Sequence, residues 1–482
     1  MRSWDAPRVA RAAGAELLAA PPTAAHEGPS RACIDTRTLA RGELFVGLAG
    51  ERSDGGAFAA QALAAGAWGV LLTPEHAHAA AAAGGEGVVL AHRDPLAGLQ
   101  ALAGAWREEL RARGARVIAI TGSTGKTSTK DILAALLSPS LRTVASVQNQ
   151  NNEIGVPLSL LSAEQDAQAL VLEMAMRGAG QIALLTEIAR PDVGVIVNIG
   201  PAHLEQLGSL EAIAAAKAEL LAGLAPGASG VVPFEEPLLA PHLRSDIELI
   251  TFGEREGADV ALRDRGADGS VLIVDRGREI RLRPSFGQAH QLRNLLAAVA
   301  AARAIGVTPA GRLDVTFSSM RGQRRALQRG CVLIEDCYNA NPMSMRAAID
   351  DLAESGSRRL VAVLGDMLEL GPAATAMHRE IGAYASRRGV ALLIAVGPLA
   401  AEIASAFSGE AYRVPDAAAA GELLARLLGD GDTVLVKGSR GVGLERVAEV
   451  LGGTGADAAP ARLADAERRG ALTAHGGGAG PG

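Results

Sequence analysis

Lysine is almost missing from this sequence. Of 47 basic residues in a chain of 482, four are lysine (Lys126, Lys130, Lys217 and Lys437) and 43 are arginine. Asparagine is nearly as scarce, at seven: Asn149, Asn151, Asn152, Asn198, Asn294, Asn339 and Asn341. The chain is rich in Ala, Gly, Arg and Pro, the mark of a GC-rich genome in which Arg replaces Lys wherever a positive charge suffices. The survivors become candidates for work that Arg and Asp cannot do. Lys is a compact point charge whose nitrogen can be deprotonated and modified, whereas Arg is a planar fork that stays protonated.

Other absences exclude whole classes. Three cysteines (Cys33, Cys331, Cys337) form no paired pattern and no zinc spacing, so a reducing cytoplasm is expected. The opening residues lack the apolar core of a signal peptide. No run reaches the ~18 apolar residues of a membrane span. Basic residues number 47 against 53 acidic, a net charge of −6, which argues against a nucleic-acid partner. What is present is the balance of a globular protein, 48% hydrophobic and 21% charged. At ~100–200 residues per domain the length allows two to four domains.

The pattern reads as α/β throughout. Residues 1–92 hold short apolar runs, Leu44–Leu48, Trp68–Leu72 and Val88–Leu90, between Gly-rich turns and Ala-rich helices. Runs apolar at every position fit strands covered on both faces. From Arg116 to about residue 318, strand candidates Val117–Ile120, Ala169–Met174 and Val193–Asn198 alternate with helices, which predicts a parallel sheet. Residues 319–452 repeat the rhythm with Val332–Glu335, Leu360–Leu364, Leu392–Val396 and Thr433–Val436. Polar residues follow these strands (Asp336, Asp366, Lys437), where open α/β sheets bind ligands. The Ala/Gly/Pro-rich stretch 453–482 reads as a disordered tail.

One segment carries chemistry on its own. Strand Val117–Ile120 runs into Thr121-Gly-Ser-Thr-Gly-Lys-Thr-Ser128 and then a helix with Ile132, Leu133, Leu136 and Leu137 on one face. Backbone N–H groups of such a loop bind phosphate, Lys126 reaches the β- and γ-phosphates, and the Thr127 hydroxyl can ligate Mg²⁺. It departs from a strict Walker A because Ile120 stands where that motif has its first glycine. Two anchors emerge on the same side: Glu173 at one strand end, and His203 after another. Mg²⁺ prefers oxygen, so Glu173 is a natural ligand and His203 a less usual one; each also has a purely structural reading. Lys217 lies two turns into an Ala-rich helix capped by Ser209. Helix propensity gives no reason for Lys over Arg there. It is either a plain surface lysine or an amine that takes up CO₂ to become a carbamate, an anion able to hold metal.

In combination these segments resemble the Mur ligase family, over about residues 30–450. The phosphate loop resembles the family's ATP loop, with Thr121, Gly122, Ser123, Thr124, Gly125, Lys126, Thr127 and Ser128. Gln148–Pro157, containing Asn151 and Asn152, resembles the segment after it. Glu173 and His203 fall where the family places Mg²⁺ ligands, and Lys217 falls on its carbamylated lysine. His290 and Asn294 resemble its H-N-x-x-N segment, whose last Asn lies by the adenine. Asp336-Cys-Tyr-Asn-Ala-Asn-Pro342, with Tyr338, Asn339 and Asn341, and Lys437-Gly-Ser-Arg440, with Ser439, resemble C-terminal signatures. Asp35-Thr-Arg37 resembles the UDP-sugar-binding N-terminal domain. Departures include Asp54-Gly-Gly-Ala-Phe58 for Asp-Gly-His-Asp-Phe, Lys217-Ala-Glu219 for Lys-Gly-Glu, and His290-Gln291 for His-Asn.

The resemblance implies three α/β domains: a UDP-sugar-binding domain (1–92), a P-loop ATPase domain with a parallel sheet (93–318) and a Rossmann-like domain (319–452). It implies ATP-driven amide formation through an acyl phosphate, with two Mg²⁺ ions and a carbamate at Lys217. The metal groups would be Thr127, Glu173, His203 and Lys217, with Lys126 on the phosphates. Arg321 and the Asp336–Asn341 segment would come to ATP from the third domain. Asp35, Thr36, Arg37, Asn151, Asn152, Lys437 and Ser439 would face the substrates. Those are expected to be UDP-N-acetylmuramoyl-tripeptide and D-alanyl-D-alanine, in a cytoplasmic monomer. Three alternatives stay open: a sister ligase such as MurE, whose Asp-Asn-Pro-Arg motif is absent here; a P-loop nucleotide switch or motor; and a sugar-nucleotide-binding scaffold.

Overall fold

The computed structural model describes residues 1–22, 27–50, 53–84, 86–147 and 149–453. The expected tail lies outside them from residue 454 onward, as does Gln148. The chain forms two compact units, one of residues 1–200 with 207–316, the other of 201–206 with 317 onward. It contains three sheets, of five, ten and six strands.

The first sheet runs Glu16–Ala19, Val88–Ala91, Gly69–Leu72, Leu44–Val46, Ala32–Cys33, parallel except for its first strand. Its three middle strands are buried almost residue for residue, as the unbroken apolar runs predict. Helix Pro95–Ala112 follows. Asp94 caps it by accepting from the amides of Leu96 and Ala97, and Pro95 occupies its first turn. The helix packs on Ala6–Ala13 at one side and on Gly155–Ser162 and Gln181–Ala189 at the other. Trp106 is its fully buried centre: the indole N–H donates to the Ala163 carbonyl at 3.0 Å, and the ring meets Trp4 edge to face at 5.2 Å. Beside it, buried Arg107 donates to Asp192 at 2.8 Å and to the carbonyls of Ala189 and Arg190. Trp106→Ala removes both the packing and the hydrogen bond. It is expected to destabilise this unit by about 3–5 kcal/mol, read as a drop in its urea midpoint.

The central sheet is parallel across Thr143–Ala145, Ala169–Glu173, Arg116–Thr121, Val193–Ile196, Ser229–Pro233, Glu248–Gly253 and Val260–Arg265. It then extends through antiparallel strands Val271–Asp275 and Arg278–Pro284 to a last short parallel strand, Gly311–Leu313. In this extension burial alternates, with Val271, Ile273, Ile280 and Leu282 inward and Arg281 and Arg283 outward. That is the pattern of a sheet with one face in water. The sheet is therefore mixed rather than parallel throughout.

The third sheet runs Gln323–Ala326, Val332–Glu335, Thr433–Lys437, Leu360–Gly365, Leu392–Val396, Glu410–Val414, parallel except for its first strand. Helices cover both faces over two apolar clusters, one holding Met345, Ile349, Leu364 and Ile381, the other Val363, Ile394, Leu424 and Val434. Cys33, Cys331 and Cys337 are buried free thiols. No described helix is long and apolar enough to cross a membrane.

Candidate active site

The site begins where strand Arg116–Thr121 gives way to helix Lys126–Leu137. The turn between them needs two glycines. Gly122 has φ 155° and Gly125, the helix N-cap, has φ 77°. A Cβ on Gly125 would lie 2.4 Å from Asn294 Oδ1. The amides of Ser123 and Thr124 donate to Asn198 Oδ1 at 3.1 and 2.9 Å, and Asn198 Nδ2 donates back to the Thr124 carbonyl and hydroxyl. Ser123 Oγ donates to the Gly200 carbonyl and accepts its amide. The loop is thus pinned from the neighbouring strand end, with the helix N-terminus, a natural anion site, at its far side. Lys126 Nζ donates to the Gly122 carbonyl at 2.8 Å. Thr121 is fully buried, and its hydroxyl has no partner among the described residues.

Glu173 stands beside this loop, 2% exposed. Its Oε2 accepts the Thr127 hydroxyl at 2.8 Å and its Oε1 accepts Asn151 Nδ2 at 2.9 Å. Asn152 works on the backbone: its Oδ1 accepts the amide of Gly155 at the start of the next helix. Ser128 and Asn294 are joined through Gln291, whose Nε2 reaches Ser128 Oγ at 3.4 Å and whose Oε1 accepts Asn294 Nδ2. His290 lies in the first turn of the same helix, Ala289–Ala304.

Lys217 is not on a solvated face. It is 2% exposed on helix Leu210–Ala222, capped as expected by Ser209 Oγ, which accepts the Ala212 amide. Among the described residues its ammonium makes no hydrogen bond and no ion pair. Burial, and then the charge of nearby Lys126, hold its ammonium well below the usual lysine range. Both act against the charged form.

Within the other unit, His203 has a positive φ of 61°, and its Nδ1 lies 2.5 Å from Glu369 Oε2. Lys437 is buried and gives its donors to Asp336 Oδ2 at 2.8 Å, to the Asp336 carbonyl and to the Asn339 carbonyl. Asn341 caps helix Pro342–Ala353 in a reciprocal box with Ser344. Ser439 Oγ accepts the Leu368 amide. The Arg321 guanidinium sits 4.1 Å over the Tyr338 ring. At the N-terminal sheet, Arg37 grips Asp35 through two nitrogens at 2.9 and 2.6 Å and holds its carboxyl down at about 2. Thr36 lies between them.

The structure thus gathers Lys126, Thr127, Glu173 and Asn151 in one place, with Lys217 close enough to feel the Lys126 charge. Asn198 was not among the expected site residues, though its scarcity marked it. Asn151, expected to face substrate, stands on the carboxylate.

A phosphate loop on a mostly parallel sheet, followed by a Rossmann-like sheet, defines the class. Residues 120–302 match the family described as Mur ligase middle domain, and 320–440 match Mur ligase, glutamate ligase domain. The chain belongs to the Mur ligase family. Within it, similar proteins named UDP-N-acetylmuramoyl-tripeptide–D-alanyl-D-alanine ligase come from Synechocystis (37% identical; 87% of this chain, 91% of that protein), Bacillus subtilis (36%; 86% and 92%) and Escherichia coli (33%; 86% and 92%). Among solved structures it is similar to MurF from Acinetobacter baumannii (TM-score 0.80, 28% identical; 93% of this chain, 99% of that one). It is also similar to MurF ligase from Thermotoga maritima in complex with ADP (TM-score 0.74, 29%; 87% and 96%).

Proposed function

We propose that this chain joins D-alanyl-D-alanine to UDP-N-acetylmuramoyl-tripeptide at the expense of ATP, the reaction its curated relatives are named for. The observation that carries an amide ligase over a nucleotide switch is Lys217. A switch has no use for a buried, unpaired amine beside a phosphate loop.

The chemistry has two stages. A carboxylate is a poor electrophile, so a tripeptide carboxylate oxygen first attacks the γ-phosphorus of ATP, and ADP leaves. The amine of the dipeptide then attacks the acyl phosphate carbonyl. The tetrahedral intermediate expels phosphate, and the amine loses its proton. The chain's work is positioning and neutralising charge. Loop amides and Lys126 hold the phosphates, and Asn198 keeps the loop in shape. Asn294 and Gln291 line its far side.

Oxygen donors from Thr127 and Glu173 suit Mg²⁺, and both Glu173 oxygens are already oriented by donors. Lys217 supplies a third donor as a carbamate: its neutral amine adds to CO₂ and releases one proton. His203 is the further metal group that the family resemblance names. Bound there, Mg²⁺ supplies positive charge for the phosphoryl oxygens. The three domains would divide as 1–92, 93–318 and 319–452. The resemblance assigns Asp35, Thr36 and Arg37 to the UDP-sugar, and Arg321, Asp336, Tyr338, Asn339 and Asn341 to the nucleotide. The reaction is assigned to the cytoplasm.

Phosphate release is expected only when ATP, the UDP-linked tripeptide and D-Ala-D-Ala are all present. Release that ignores the dipeptide sinks the ligase reading.

A further inference from the structure

Lys130 is the remaining lysine, and nothing above gives it work. It lies one turn after Thr127 on the same helix face and is 3% exposed. Its ammonium donates to the Ser146 carbonyl at 2.8 Å and pairs with Asp131 at 3.1 Å. Ser146 is itself buried, just past strand Thr143–Ala145. Its amide donates to the Val171 carbonyl. Its hydroxyl accepts the amide of Glu173 at 3.2 Å.

These bonds close a ring. Thr127 on the helix meets the Glu173 side chain, the Glu173 backbone meets Ser146, and Ser146 meets Lys130 on the same helix. Burying an ammonium is costly unless it is well satisfied. An apolar side chain would fill the space between helix and strand more cheaply.

We infer that Lys130 is a positioning residue. It fixes the end of strand Ala169–Glu173 through Ser146, so that the Glu173 carboxylate meets the Thr127 hydroxyl in the geometry that takes Mg²⁺. This rests on the reading of Glu173 and Thr127 as metal groups. It also accounts for lysine in an arginine-rich chain: the ring uses one compact donor on the Ser146 carbonyl, and a guanidinium fork would present its donors in a different geometry.

The test compares full-length wild type with Lys130→Met, Lys130→Arg and Ser146→Ala. Three quantities are read: half-saturating free Mg²⁺ in ligation, ADP affinity by calorimetry with and without Mg²⁺, and the thermal midpoint. Lys130→Met is expected to raise half-saturating Mg²⁺ by about 10–100-fold and to leave Mg²⁺-free ADP affinity within about twofold. Lys130→Arg should fail to rescue, and Ser146→Ala should shift the Mg²⁺ requirement the same way. A folded Lys130→Met with an unchanged Mg²⁺ requirement overturns the inference. So does a parallel loss of Mg²⁺-free ADP affinity, which marks a merely structural role. If Lys130→Met does not fold, Ser146→Ala decides by the same Mg²⁺ reading. If wild type itself binds ADP without regard to Mg²⁺, the metal-site reading fails first, and that is a different result.

Discussion

Lys217→Arg is expected to lose ligation by about 10²–10³-fold or more while the protein still folds and binds ADP. Arg keeps the positive charge that an unmodified lysine could carry, so a loss in this variant is not the loss of a charge. A carbamate would not, because a guanidinium stays protonated and does not add to CO₂. The surroundings favour modification: Lys217 is 2% exposed, has no acidic partner among the described residues and feels the Lys126 charge. Each factor disfavours the ammonium. Arg is also bulkier, so Lys217→Ala serves as a second variant. There the vacated space should admit a small carboxylate, and added formate or acetate should restore part of the activity. A readout independent of turnover is a carbamate resonance from carbon-13 bicarbonate, present in wild type and absent in Lys217→Arg. Full ligation by Lys217→Arg would remove the carbamate from the mechanism.

Lysine scarcity pointed at residues with special duties, and those duties proved to be of two kinds. Lys126 and Lys217 stand at the phosphate loop. Lys130 and Lys437 are buried struts that hold backbone carbonyls, Ser146 in one case and Asp336 with Asn339 in the other. The asparagines divide likewise: Asn341 and Asn152 hold helix starts, while Asn198 clamps the phosphate loop. Composition marks a residue whose replacement is penalised; it does not say whether the penalty falls on chemistry or on folding.

The strand–loop–helix unit was legible because phosphate binding dictates glycines and a lysine at fixed spacing. Fully apolar runs such as Leu360–Leu364 located the parallel strands to within a residue or two. The antiparallel extension at Val271–Pro284 was less visible, since only alternate positions are apolar and charged residues fill the rest. Partners distant in sequence were not legible at all. Nothing near His203 announces Glu369, 166 residues away, and nothing near Glu173 announces Ser146 and Lys130.

Gly125→Ala tests the loop itself, and its expected effect on nucleotide is of similar size to the loss at Lys217. Two costs add at this position. The backbone sits at φ 77°, where an L-residue costs about 1–2 kcal/mol. The new methyl would also lie 2.4 Å from Asn294 Oδ1, so Asn294 must move and its bond to Gln291 must give. At ~1.4 kcal/mol per tenfold, these costs predict a loss of ADP affinity of about 100-fold, because the amides that face phosphate belong to the same turn. The double variant Gly125→Ala/Asn294→Ala separates the two. Removing the amide relieves the clash but not the φ strain, so measured against Asn294→Ala alone the double variant should bind ADP only about tenfold more weakly. Thermal melting should fall by only a few degrees, since the helix behind the loop keeps Ile132, Leu133 and Leu137 buried. Unchanged ADP affinity in Gly125→Ala would mean that the phosphates are held somewhere other than this helix N-terminus.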